Sequence, residues 1–192
     1  MTVSELIQTL RRELNDTQRI EYSDEELLSY INRAKDFIVD ELLGIRSPLL
    51  LKQAVLAPID GSAPLPEHFA VEYAVIANGV PLQSSPIPYN LGRDSYSVFD
   101  GRLYVNADSV LLYYYTRIPD LSFDSSIDEP LALFIPLLIV LAVMFAKNRT
   151  MIPMGLEPTF LQDLRRKIRD YSLRNTSIAV SAPVKFRAIR WK

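Results

Sequence analysis

The stretch Leu131–Ala146 constrains this 192-residue chain more than any other, because its sixteen residues carry no charge. Such a run has no polar stripe to turn toward water, so as a helix it needs protein partners on every side. It is shorter than the ~20 apolar residues of a membrane-spanning helix, and Pro136 interrupts it. We therefore expect a buried helix at the centre of a helical core, and no membrane partner.

The partners of that helix can be read on either side of it. Thr2, three residues before Glu5, has the form of a capping box, and Val3, Leu6, Ile7, Leu10 and Leu14 follow at helical spacing. This predicts a helix over residues 3 to 14. Ser23-Asp24-Glu25-Glu26 repeats the capping signal. Leu27, Leu28, Ile31, Ala34, Phe37, Ile38 and Leu42 then form an apolar stripe, with Gly44 as the expected left-handed terminator. Downstream, Asp128-Glu129-Pro130 suits the first turn of a helix, where amides are exposed and the dipole is positive. Phe160, Leu161, Leu164, Ile168 and Tyr171 predict a last amphipathic helix.

Between residues 48 and 119 the texture changes to short apolar runs broken by prolines and by Asp60-Gly61, Asn78-Gly79 and Asp100-Gly101. Such pairs suit the type I′ turn, which needs positive φ at both central residues and matches the twist of a hairpin. Tyr96–Phe99 turning into Arg102–Val105 is the clearest hairpin, with further strands expected at Leu50–Leu56, Val71–Ala77 and Val110–Arg117. The expected fold class is α+β: a helical bundle of four main helices, two N-terminal and two C-terminal, with an inserted small antiparallel β region and an extended C-terminal tail. The expected divisions are 1–47 and 123–174 for the helices, 48–122 for the β region and 175–192 for the tail.

Chemistry has little to work with. There is no cysteine, so disulfides and thiolate metal sites are excluded. The single histidine, His68, lies in a turn-like stretch without a second His or Cys to complete a zinc set. The carboxylate pairs at Asp24 to Glu26 and Asp128-Glu129 lie where helices start, which explains them by dipole stabilisation. No nucleophile elbow, P-loop or GxGxxG is present, and Asp124–Glu129 lacks the central glycine of a calcium loop. We expect no catalytic residue, no metal and no cofactor. Charges recur every few residues from the N-terminus, unlike a signal or transit peptide, so synthesis and retention in the cytoplasm are expected.

Charge is distributed unevenly. Residues 1–146 hold ten Lys and Arg against twenty Asp and Glu, whereas residues 147–192 hold eleven against three. A basic segment on an acidic body suits docking to an acidic surface or to phosphate, and a solvated helix face with a loose tail is the plainer alternative. The run Arg165, Arg166, Lys167 and Arg169 could form a basic interface, and a nucleic-acid-binding module using it and the tail is the alternative function. No zinc-finger or RNA-recognition signature accompanies it. In the tail, Val184, Phe186, Ile189 and Trp191 are interleaved with Lys185, Arg187, Arg190 and Lys192. Such a segment can add a strand to a partner's sheet or lay aromatics in a partner's groove, or it can fold back on its own chain.

The order of these elements, with Tyr22-Ser23-Asp24-Glu25-Glu26-Leu27-Leu28-Ser29-Tyr30-Ile31-Asn32-Arg33-Ala34 in the second helix and Tyr113-Tyr114-Tyr115-Thr116-Arg117-Ile118-Pro119 followed by Asp128-Glu129-Pro130, resembles the head-to-tail adaptor proteins of tailed bacteriophages. The resemblance implies a structural virion protein of the neck, made in the host cytoplasm, and not an enzyme. It implies a homo-oligomeric ring, expected to hold twelve copies, set between the portal protein and a downstream tail or nozzle protein. DNA would pass through the ring's channel without being read. The portal-docking tail would comprise Val184, Lys185, Phe186, Arg187, Ile189, Arg190 and Trp191. A cell-wall-degrading activity proposed for some relatives of this type is not carried over, because the catalytic groups for it are lacking.

Overall fold

A computed structural model of the protein describes residues 1–148 and 158–179. Helix α1 (Val3–Glu13) opens on Thr2, whose hydroxyl accepts from the Glu5 amide at 3.2 Å while the Glu5 carboxylate accepts from the Thr2 amide at 2.8 Å. Helix α2 (Asp24–Gly44) opens the same way, with Ser23 and Glu26 exchanging bonds of 3.1 and 2.9 Å. Two reciprocal bonds satisfy amides that a helix start leaves bare. The expected terminator is corrected: Gly44 is the last helical residue, and the left-handed conformation falls on Arg46 at φ 51°. The turn is closed instead by bonds from the Arg46 and Ser47 amides to the carbonyls of Leu43 and Leu42.

A 3₁₀ turn, Pro48–Leu50, leads into eight strands: β1 (Leu51–Leu56), β2 (Ser62–Pro64), β3 (Phe69–Ala77), β4 (Val80–Pro81), β5 (Gln83–Ser84), β6 (Ser95–Phe99), β7 (Arg102–Val105) and β8 (Val110–Thr116). They form two four-stranded sheets, ordered β1-β8-β3-β4 and β2-β7-β6-β5. The pairings are antiparallel except for β5 with β6. The Asx-Gly pairs take positive φ at both residues: Asp60 52° and Gly61 75°, Asn78 50° and Gly79 77°, Asp100 47° and Gly101 69°. Glycine accepts that region freely and Asp or Asn tolerates it, which is why these dipeptides make the turns. The chain crosses from the first sheet to the second at Leu82, whose amide still bonds the Val75 carbonyl at 2.8 Å.

After a strap over residues 117–130, a 3₁₀ turn (Leu131–Phe134) runs into helix α3 (Ile135–Asn148), and helix α4 (Pro158–Ala179) follows. By length and composition alone Leu131–Asn148 could cross a membrane. In this fold Leu137, Leu138, Leu141, Ala142, Phe145 and Ala146 are buried in one core with residues of α1, α2 and α4. Helix α4 continues to Ala179, so Asn175–Ala179 are helical where an extended tail was expected.

The expected fold class is overturned. The middle of the chain is not a small antiparallel insertion on a four-helix bundle but a two-sheet body with one parallel pairing and a core of its own, made of Val75, Ala77, Tyr96, Leu103, Val105, Val110, Leu112 and Tyr114. The physical reason is the strand period. Alternate residues of β3 and β8 meet alternate residues of β6 and β7 across the gap between sheets, so the region buries apolar surface internally instead of resting on helices. The opposite face of β8 carries Tyr115, which belongs to the helical core and donates its hydroxyl to the Arg46 carbonyl at 3.1 Å.

Candidate interaction surfaces

The residues with chemical potential are mostly committed to structure. His68 has φ 60°, and its carbonyl accepts from the Arg117 amide at 2.8 Å and the Thr116 hydroxyl at 3.2 Å, so it shapes the turn before β3. Its ring lies 3.3 Å from the exposed Glu67 carboxylate. Asp24 is bound by Arg11 at 2.6 Å, Glu26 caps α2, and Asp128 accepts from the Ser126 hydroxyl at 2.7 Å. Among the described residues no group of three or more His, Asp or Glu side chains is placed to hold a metal ion.

Of the basic run on α4, two members are paired with acids. Arg165 donates to Glu41 of α2 at 2.7 Å, and Arg166 pairs with Asp163 one turn earlier at 2.9 Å. Lys167 and Arg169 are exposed. Leu164, Ile168 and Ser172, at a spacing of four, form the buried edge of the helix. The structure thus joins the four cations on one helix and ties Arg165 to α2 by an ion pair at the surface. The tail residues Val184, Lys185, Phe186, Arg187, Ile189, Arg190 and Trp191 lie outside the described residues.

Two charged residues that sequence reasoning passed over hold the helical unit together. Arg11 has a side chain 3% exposed and reaches Asp16 at 2.6 Å, Asp24 at 2.6 Å and the Tyr22 carbonyl at 3.0 Å. Asp16 in turn accepts from the amides of Ile20, Glu21 and Tyr22. These bonds, led by that from Glu21, hold its carboxyl below the ordinary value of 3.8 against the opposing effect of burial, and the Arg11 charge adds to them. Lys35, also buried, donates to the carbonyls of Ile118 and Pro119 and to Asp120 at 2.7 Å, and its hydrogen bond lowers the Asp120 pKa. Asn32 exchanges two bonds with the backbone of Leu121. One signal was available: Lys35 follows Ile31 by four residues, so it falls on the stripe that faces the core.

Two kinds of surface remain open. The sandwich exposes large apolar side chains, with Val55, Ile59 and Tyr89 each about three-quarters exposed and Tyr73, Val80 and Phe99 about half. Exposed apolar groups supply contact surface where they adjoin one another. In addition, a cleft of about 970 Å³ opens where the helical unit meets the first sheet. Leu51, Gln53, Tyr73 and Tyr113 line its sheet side, Pro48 and Leu49 its floor, and residues 117–121 and 125–131 the opposite side.

No curated protein matches the chain. The family model described as SU10 adaptor protein matches residues 1–187, nearly the whole length. With an architecture committed to packing and contact, and a family match spanning helices and sandwich alike, the chain belongs to the SU10 adaptor protein family, a family of phage head–tail adaptors.

Proposed function

We propose that copies of this chain form a closed ring, twelve in number, that docks on the portal through the C-terminal segment and extends the DNA channel toward a downstream tail or nozzle protein. The work is binding, without catalysis or cofactor, and DNA passes without being read. The observation that carries this is the partition of charge: −10 over residues 1–146 and +8 over residues 147–192. A basic segment bearing Phe186, Ile189 and Trp191 has the anchors a protein groove accepts. An acidic body holds DNA loosely, as a conduit should. The exposed apolar side chains of the sandwich supply surface for contact between copies.

The test is the mass of the purified protein by light scattering, alone and mixed with portal rings. Joining the portal stoichiometrically is the expected result, and deleting Val184–Lys192 abolishes it while leaving the circular dichroism spectrum unchanged. A truncated chain that docks normally overturns the role of the segment. A full chain that neither self-associates nor binds the portal, but binds duplex DNA with a steep salt dependence, overturns the adaptor reading itself.

A further inference from the structure

We infer that loop 85–92 of one copy seats in the cleft between the helical unit and the first sheet of the next, and that this contact joins the copies of the ring. The loop leads from β5 toward β6, and its eight residues carry no charge. Ile87 and Tyr89 stand 58% and 77% exposed, and Pro86 and Pro88 are interleaved with them. The prolines fix φ, and the Ser85 hydroxyl accepts from the Ile87 amide at 3.4 Å and donates to the Ile87 carbonyl at 3.2 Å. Two large apolar side chains are thus held in water by a backbone with little freedom left to lose. That is how an anchor for a protein contact is prepared.

The cleft offers the counterpart. Two successive rows cross the outward face of the first sheet, Gln53, Tyr113 and Ala74 in one, Val55, Leu111 and Ile76 in the next, and neither holds a charge. A sheet face turned to water is ordinarily polar. Tyr73, half-exposed, lines the cleft beside Gln53 and Tyr113. Among the charged residues of the lining, Asp120 is bound by Lys35 and Arg117 is paired with Asp40. Lys52, Asp128 and Glu129 add charges of both signs, so the cleft favours no charged occupant, and an uncharged apolar one displaces no ion pair. That occupant is not the chain's own loop: Ile87 and Tyr89 stand in water, none of residues 85–92 lines the cleft, and the loop hangs from the second sheet, which packs on the opposite face of the first. Loop and cleft are therefore two different surfaces turned different ways. A contact between two such surfaces runs head to tail and closes a ring when the rotation between copies divides a full turn, whereas a contact of one surface with itself stops at a dimer. The inference rests on the proposed ring and names the contact that builds it.

The chain has no cysteine, so an introduced pair reports one contact alone. A full chain carrying Gln53→Cys and Tyr89→Cys, both at exposed positions, is expected to give a ladder of covalent oligomers on mild oxidation, resolved on a non-reducing gel. Gln53→Cys combined with Glu13→Cys, exposed at the end of α1, serves as the control and should give far less. Tyr89→Glu and Tyr73→Glu should each weaken self-association, read by light scattering, roughly tenfold or more, as loss of an aromatic anchor does, without altering the circular dichroism spectrum. Mixed one to one, these two variants should form a dimer and stop, because each keeps a different half of the contact. A crosslink confined to the monomer puts the loop in its own cleft and overturns the inference. So does crosslinking no stronger than the control's. Self-association that survives both Glu substitutions, with the chain still joining the portal, leaves the ring standing on another surface and overturns this contact alone. A chain that never self-associates, by itself or on the portal, overturns ring and contact together.

Discussion

In the helical unit Arg11 and Lys35 are buried and direct their charges at oxygens of their own chain, whereas in the sandwich Val55, Ile59, Tyr73, Tyr89 and Phe99 stand in solvent. The helical core is also the larger, with members from all four helices, the 3₁₀ turns and the strap, against eight buried residues between the sheets. The contrast separates two tasks. Satisfying those charges internally fixes the helical unit, which leaves fewer large apolar side chains in solvent, among them Ile20, Val140 and Leu173. A body that keeps apolar side chains outside carries surface whose burial waits for a neighbour.

The comparison breaks if the two cores are not one cooperative structure, and paired deletions test that. Phe134→Ala in the helical core should cost about 3–5 kcal/mol, and Leu103→Ala in the sandwich core about 2–5 kcal/mol, because each leaves a cavity as well as losing burial. Both residues are fully buried. Urea unfolding followed by near-ultraviolet circular dichroism of the tyrosines, seven of whose ten lie between residues 73 and 115, and by far-ultraviolet circular dichroism of the helices should show one shared transition for each variant. Two separated transitions would mean that the sandwich folds apart from the helices.

Acid sharpens the contrast, since the depressed carboxyls with large structural roles, Asp16 and Asp120, both belong to the helical unit and its strap. A folded-state pKa below the unfolded value gives stability that is complete above 3.8 and is lost as pH falls through the folded value. Asp16→Asn should therefore lower stability at neutral pH and flatten its decline on acidification, read from urea midpoints across an acid series. An unchanged slope would move the acid sensitivity elsewhere.

The smallest effect belongs to the open face of the sandwich. Val55→Thr should change the unfolding free energy, read from urea titration, by no more than about 0.5 kcal/mol, as befits a surface position. A larger loss would show that Val55 supports the fold and would narrow the surface available to partners.

The sequence was most legible where a local rule acts. The boxes at Thr2 and Ser23 and the three Asx-Gly turns need only neighbouring residues, and each has the geometry its residue types favour. The layering of the sheets was not legible, because β1 pairs with β8 some sixty residues away and β4 and β5 are two residues each, too short for any period. Nor was the end of α2, where Arg46 and not Gly44 turns left-handed. At the interaction surfaces the cations of α4 were identified, but Arg165 pairs with Glu41 across helices, and no spacing within α4 encodes that. The cleft was invisible for a similar reason: its walls come from β1, β3, β8 and the strap, segments that only the completed fold brings together.

Strand β8 has one further consequence, and it is mechanical. Leu112 and Tyr114 lie in the sandwich core, and Tyr115, the next residue along, lies in the helical core. The strand is also flanked on both sides, by β1 and β3. A pull or twist applied to the sandwich therefore reaches the helices through the backbone of a central strand paired on both sides rather than through a pliant linker. Load from one end of the molecule arrives at the other as a displacement of the whole body, which lets a subunit placed in a strained particle pass a push along without folding at the waist.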